Sequence, residues 1–408
     1  MGIFLLLSLF FSPSNASGNT VMRQELAKIW QDAQFKLGPL RIKTVLFFNN
    51  AGYDSNVYRT RAEPIRDFTF STGPAVTVYL PFKKRFVFSI HESPRYVYFK
   101  ETKRERSWNQ YFSAGVHFFI NRFLFSLHQG YSNFRERWNT EIDIRPRSKV
   151  DVLSTSVLWK TSKRVSFSLG YTKRKLNYEM IAIENFNLGH RLNRTENYLS
   201  LTNYYQIASK TRTFLSFEYG SYGFEQHQGV MDSNSYRVSG GFDFSPISRI
   251  RGQINLGYKV VDILNTGGKD FSGLVGDTRI DVRFLKRFRA RVSYQKDLHF
   301  SAWYDNAYFL QKIYGAGLSL YLILKIRLDY DFRTGRNIYS TATPLAQSQD
   351  SSESFRNDTY QIHTIGLYFR IKNNVGIGLT FNSWNRDSNL IWENDRRNFF
   401  GLNLTYDF

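Results

Sequence analysis

"NFFGLNLTYDF", residues 398–408, closes the chain on a strict alternation. From Phe400 every second side chain is large and apolar: Phe400, Leu402, Leu404, Tyr406 and Phe408. Gly401, Asn403, Thr405 and Asp407 lie between them. A period of two places the two sets on opposite faces of a β-strand. Chain ends usually run out into loose polar residues unless something ties them down. A strand at the very end is therefore expected to have a partner, and in a closed barrel that partner is the first strand.

The same alternation runs back through most of the chain. Apolar stripes of period two read Phe123, Phe125, Leu127, Gln129, Tyr131; Val165, Phe167, Leu169, Tyr171; and Leu215, Phe217, Tyr219. They continue with Ile254, Leu256, Tyr258; Phe288, Ala290, Val292, Tyr294; and Leu324, Ile326, Leu328, Tyr330. Each stripe finishes on a tyrosine, while the opposite face is small or polar, as with Ser166, Ser168 and Gly170. A soluble sandwich would also alternate. A tyrosine at the same end of six strands is more specific, because its ring can sit in lipid while its hydroxyl reaches water.

Connections alternate in length too. Eight short ones carry basic or polar residues, for example Ser162-Lys163-Arg164 and Lys372-Asn373-Asn374, and one falls near Tyr321 to Ile323. Nine long polar ones are expected at about 51–66, 92–108, 132–148, 175–195, 222–235, 262–272, 296–308, 333–358 and 382–396. Seventeen connections imply eighteen strands with both ends on one side. The expected fold is thus all-β: a transmembrane antiparallel up-and-down barrel of about 18 strands over residues 39–408, placed in an outer membrane, with short periplasmic turns and longer outer loops. Closure is obligatory, since lipid offers a free sheet edge no hydrogen-bond partner.

Before the barrel, "IFLLLSLFF" (residues 3–11) has the length of a signal-peptide core, and Ser14-Asn15-Ala16 is a plausible cleavage site. A signal peptide is expected at 1–16, with an atypical n-region because only Met1 and Gly2 precede the apolar run. Met22, Leu26, Ile29, Trp30 and Ala33 recur at helical spacing, so 17–38 reads as a periplasmic or lumenal segment with a short N-terminal helix at 21–35, ended by Gly38-Pro39.

The 408 residues carry 55 Lys and Arg against 34 Asp and Glu, a formal +21, with 17% aromatic residues and no cysteine. Thiolate metal sites and disulfides are excluded. The positive charge lies in turns and on the faces opposite the apolar stripes, which argues against nucleic acid as the partner. A cation facing mid-bilayer lipid costs about 2–4 kcal/mol, so these residues are assigned to the lumen. The expected pore lining is Arg251 and Lys259; Arg279 and Arg283; Arg289 and Arg291; Lys325 and Arg327; Tyr368 and Arg370. Two readings stand side by side: Arg and Asp pair across strands to stiffen the wall, with Asp281, Asp329 and Asp331 available, or the surplus cations draw anions. Inward tyrosines (Tyr198, Tyr204, Tyr321, Tyr368) could stack on sugar rings or simply line the wall.

No catalytic constellation assembles and no cofactor is expected. His117 and His128 fall on neighbouring strands and read as polar wall residues rather than a metal pair. The long loops could hold a divalent ion or lipopolysaccharide without a specific spacing.

Residues 35–59, "FKLGPLRIKTVLFFNNAGYDSNVYR", join a Gly-Pro lead-in and a first strand to Asp54-Ser55-Asn56-Val57-Tyr58. This resembles the start of outer-membrane β-barrels of the exopolysaccharide-export type, the beta-barrel porin 2 family. The resemblance implies an 18-stranded barrel passing a secreted polysaccharide, with periplasmic polysaccharide-export components as partners. Phe400, Leu402, Leu404, Tyr406 and Phe408 resemble the C-terminal insertion signal read by barrel-assembly machinery in outer-membrane proteins. The reading is a non-enzymatic channel for polysaccharide through a wide basic lumen, embedded among outer-membrane lipid and lipopolysaccharide. The alternative is a general or anion-selective diffusion porin for small solutes. A third reading is a barrel that anchors or displays its loops.

Overall fold

The computed structural model describes residues 33–408 apart from 83–84, 138, 184–185, 226–230, 248, 265–269, 286, 304–305, 324, 344–353, 373 and 391–392. The expected signal peptide at 1–16 and most of the expected helix lie outside the described residues. Where they meet them, the expectation fails: Phe35–Leu37 is a short strand, not helix, and pairs antiparallel with Leu40 to Ile42. Gly38 turns the chain between them with φ +55°, a left-handed conformation open to a residue without Cβ.

Eighteen long strands follow, β1 (Leu40–Asp54), β2 (Asp67–Phe82), β3 (Phe86–Phe99), β4 (Ser107–Ile120), β5 (Phe123–Arg135) and β6 (Arg147–Lys160) being the first third. The next are β7 (Val165–Tyr178), β8 (Arg194–Ala208), β9 (Thr211–Phe224), β10 (Ser233–Ile247), β11 (Ile250–Ile263) and β12 (Phe271–Phe284). The last are β13 (Phe288–Phe300), β14 (Tyr308–Ile323), β15 (Ile326–Thr343), β16 (Ser354–Lys372), β17 (Val375–Ser388) and β18 (Asp395–Asp407). Every strand pairs antiparallel with its sequence neighbours, and β18 returns to β1. The final alternation thus pairs with the first strand, and the sheet has no open edge.

That seam is shaped by small residues. Gly52 lies opposite Gly401, and a Cβ on Gly52 would fall 1.8 Å from the Phe400 carbonyl oxygen, so only glycine allows the approach. A bulge between Phe48 and Ala51 absorbs a register change, with Asn50 at φ 56° donating its N–H to Asn403 Oδ1 at 3.0 Å.

The turns at one end hold two to four residues and the connections at the other six to fifteen, eight and nine in number. Several expected loops are too long. β3 runs to Phe99 and β5 to Arg135, so segments expected at 92–108 and 132–148 shrink to 100–106 and 136–146. The polar composition that suggested loops marks instead where strands rise out of lipid into water, with their hydrogen-bond ladder intact.

The outer surface follows the alternation. Leu127, Leu169, Leu201, Leu215, Leu256, Leu274 and Val292 are exposed there. Tyrosines meet across strands at one margin: Tyr219 on Tyr236 at 5.3 Å and Tyr294 on Tyr314 at 5.1 Å between ring centres. At the other, Phe123 stacks on Trp159 at 6.0 Å, and Trp159 meets Phe167. These are the two aromatic girdles of a membrane barrel.

Candidate functional site

Inside, the two halves of the barrel differ. Side chains of opposite parity to the lipid face point inward, and near the short turns they form a vestibule with two unlike walls. On β4, β5, β6, β8 and β9 the inward side chains Phe119, Leu124, Leu158, Tyr204 and Phe214 pack into an apolar patch. His117 and His128 lie above it, His117 bonded through Nδ1 to Ser126 Oγ at 2.9 Å. No group of three or more metal-ligating side chains occurs among the described residues.

Farther round the ring, with only β10 between, β11 to β13 bring four guanidiniums around one carboxylate. Asp281 lies 2.9 Å from Arg289, 3.1 Å from Arg291, 3.4 Å from Arg279 and 3.7 Å from Arg251. Arg283 follows on the same face of β12 without an acidic partner among the described residues. Further round, Arg327 pairs with Asp329 at 2.9 Å and lies 4.6 Å over the Tyr368 ring, beside Arg370. Pairing and cation surplus therefore coexist. Four Arg share one Asp, so the wall stays positive where its members are tied together.

Two expected lining residues belong elsewhere. Lys325 sits in the exposed turn between β14 and β15, because β15 begins only at Ile326. Lys259 is buried near the outer end, bonded to Asp297 at 3.1 Å.

The outer half departs most from the expected wide, water-filled lumen. The 136–146 connection leaves β5 and β6 and reaches the far wall: Thr140 Oγ1 accepts from Gln311 Nε2 of β14 at 3.1 Å and from Asn337 Nδ2 of β15 at 2.9 Å. β5 and β14 are nine places apart in a ring of eighteen, diametrically opposed. Arg386 of β17, 1% exposed, donates to the Thr140 carbonyl at 3.0 Å and to the Glu141 carbonyl at 3.3 Å. It also pairs with Asp143 at 2.6 Å, Asp395 at 2.9 Å and Glu393 at 3.3 Å. Asn139 shapes the crossing by accepting from the backbone N–H of Glu141 (2.9 Å) and Ile142 (3.3 Å), a local turn typical of Asn.

Other connections close around it. Glu141, fully buried, accepts from Ser301 Oγ and from the Ala302 N–H at 2.9 Å, and burial raises its pKa above the usual carboxylate range. The helix α1 (Leu188–Leu192), capped by Asn187, packs Leu188 and Leu192 on Ile142 and Ala302. Its Arg191 donates to the carbonyls of Trp303 at 3.1 Å and Asn306 at 2.8 Å. Phe300, at the tip of β13, packs on the inward Tyr222 and Phe224 of β9. The centre of the outer mouth is thus a packed, hydrogen-bonded interior.

The Asp54 to Tyr58 element finds its role here. Asp54 pairs with Arg397 at 2.7 Å across the seam, Ser55 Oγ accepts from Asn398 N–H at 2.7 Å, and Asn56 Nδ2 donates to the Arg396 carbonyl at 3.1 Å. Val57, fully buried, offers its carbonyl to Arg137 of the crossing connection. Tyr58 donates to Glu105 Oε1 at 3.2 Å, and Glu105 pairs with Arg145 at 3.3 Å. The element sutures β1 to β18 and fastens both ends of the crossing segment. Sequence reading missed that segment. The signal was present as Ile142 and Ile144 alternating inside a long polar connection. The C-terminal stripe Phe400, Leu402, Leu404 and Phe408 is exposed on the lipid face, with the Tyr406 ring edge-on to Phe408 at 4.9 Å.

No protein-family model matches the chain and no curated protein matches it. Among solved structures, a BenF-like porin from Pseudomonas fluorescens Pf-5 shares 8% identity at TM-score 0.52, covering 91% of this chain and 99% of that one. Pseudomonas aeruginosa OpdQ shares 10% at TM-score 0.49, covering 90% and 97%, and OccK3 (OpdO) of the same organism 7% at 0.48, covering 94% and 98%. The first likeness shows the fold. With its closed ladder, lipid-facing apolar belt and paired girdles, the chain is an 18-stranded outer-membrane β-barrel of porin-like fold.

Proposed function

We propose that the barrel is a narrow diffusion channel for small organic anions, a carboxylate or phosphate carried on an apolar body. The observation that carries this reading is the vestibule: Arg251, Arg279, Arg289 and Arg291 around Asp281 on β11 to β13, with the apolar patch of Phe119, Leu124, Leu158, Tyr204 and Phe214 beside it on β4 to β9, only β10 lying between. Surplus guanidiniums in a confined, low-dielectric space raise the local anion concentration. An apolar wall beside them rewards solutes with a hydrocarbon face.

Passage of a secreted polysaccharide is the second reading, and it needs a wide path. The segment fastened across the outer mouth by Thr140 and Arg386 weighs against it. Anchoring or display alone leaves the arginine-rich vestibule without a purpose. Planar-bilayer recording of the refolded barrel tests the proposal. The expected result is a small conductance with a reversal potential on the anion side, and faster entry into liposomes for an aromatic carboxylate than for a neutral sugar of equal size. Cation selectivity, or ready passage of long glycan chains, would overturn it.

A further inference from the structure

On the lipid-facing side, one row of residues runs against the electrostatics of a stable sheet. Lys296 of β13 is the direct cross-strand partner of Lys312 of β14, and Lys312 is the direct partner of Arg336 of β15. Side chains in such positions lie about 5 Å apart, and like charges directly opposite destabilise a sheet. The three are outward by alternation, two residues along from the outward Tyr294, Tyr314 and Thr334. Below them the outward face continues apolar through Val292 and Leu318, both well exposed.

The depth of the row is therefore marked on both sides. The Tyr294–Tyr314 pair belongs to the aromatic girdle at the outer margin. One further pair of residues carries the strand about 7 Å toward water, to where lipid headgroups lie. No carboxylate pairs with Lys296, Lys312 or Arg336 among the described residues, and Arg336 donates only to the Asn357 amide oxygen, at 2.7 Å. Lys175, outward near the same rim, is differently placed. Lys175 of β7 has Asp151 as its cross-strand partner and pairs with Glu225 at 3.0 Å.

We propose that Lys296, Lys312 and Arg336 form a binding site for the phosphate groups of an outer-leaflet lipid. Three cations in a row at headgroup depth, backed by aromatic rings that bracket the start of the acyl region, match a phosphorylated glycolipid: its phosphates neutralise the row and its chains lie along Tyr314, Val292 and Leu318. The occupant turns a repulsive row into a fastening between β13, β14 and β15. The outer ends of β13 and β14 carry the 301–307 connection into the lumen, so the lipid stabilises the wall behind that part of the closed mouth.

The test uses the full barrel refolded in a zwitterionic detergent, with diphosphoryl lipid A as the probe. Bound lipid is read by native mass spectrometry, and stability by the temperature at which the folded band is lost in electrophoresis. The parent protein is expected to retain the lipid and to melt higher in its presence. The triple variant Lys296→Gln, Lys312→Gln, Arg336→Gln is expected to bind about a hundredfold more weakly, from about fivefold per cation near a charged lipid surface. Without lipid, the triple variant is expected to melt at least as high as the parent, because the like-charge row is gone. Should the triple variant not refold, Lys312→Gln alone removes the middle charge and is expected to weaken binding about fivefold. Dephosphorylated lipid A binding as well as the diphosphoryl form would overturn the site. So would unchanged retention in the triple variant, or displacement of the lipid by an equal concentration of inorganic phosphate, which would assign the row to a small free anion instead.

Discussion

Replacing Arg386 with glutamine puts the closed outer mouth to its most direct test. The side chain is almost wholly buried and is shared among the two crossing-segment carbonyls of Thr140 and Glu141 and the carboxylates of Asp143, Asp395 and Glu393. Removing one partner from a buried charge network costs about 3–5 kcal/mol, because the carboxylates left behind lose their counterion. The β16–β17–β18 backbone ladder does not depend on this side chain, so the loss falls on the fastening of the crossing segment rather than on the barrel wall. At about 1.4 kcal/mol per factor of ten, the closed arrangement loses on the order of two to three decades of population relative to open ones. Single-channel recording should then show larger and noisier openings than the parent, while the folded band in electrophoresis persists. A double-variant cycle with Asp143→Asn separates the fastening from general destabilisation, since the two changes should be strongly non-additive. A folded Arg386→Gln barrel with the parent's conductance and noise would refute the idea that this segment governs the path.

The remaining expectations concern charge, acidity and closure. Neutralising Arg279 and Arg291 together should move the reversal potential toward zero, whereas Asp281→Asn, which removes the only carboxylate from the cluster, should increase anion preference; the opposite order would end the vestibule reading. Glu393, in the 389–394 connection, has its carboxyl pushed up to about 7 by burial in spite of Arg356 and Arg386, with Asp143 and Asp358 adding to the rise. A folded-state pKa above the unfolded one means a contribution fully present below about pH 4 and lost as pH rises through 7, so openings should become more frequent from pH 6 to pH 8; Glu393→Gln should flatten that dependence. At the seam, Gly52→Ala should leave little folded barrel after insertion, because its Cβ collides with the Phe400 carbonyl, while Gly223→Ala, with nothing within 4 Å of a new Cβ, should fold like the parent. Equal yields of the two variants would show that the seam relaxes more than its geometry implies.

Alternation, girdle tyrosines and the rhythm of short and long connections determined the barrel: strand number, antiparallel order, which face meets lipid, and the return of β18 to β1. These are local properties, since period two, a ring at an interface and a two-residue turn each need only near neighbours in the chain. Parity likewise assigned Arg279, Arg289, Arg291, Arg327 and Arg370 to the inside. Where Lys325 was misplaced, the cause was a turn boundary displaced by two residues. Only the tertiary structure decided what fills the lumen. That Thr140 meets Asn337, that Glu141 accepts from Ser301, and that Arg386 reaches Asp143 are contacts between segments some 160 to 250 residues apart, brought together because the barrel has closed. A polar connection free in water and one folded across a lumen can share the same composition. What separates them is whether their polar groups find partners on the opposite wall, and the positions of those partners are set by the curvature of eighteen strands and written in no single stretch of the chain.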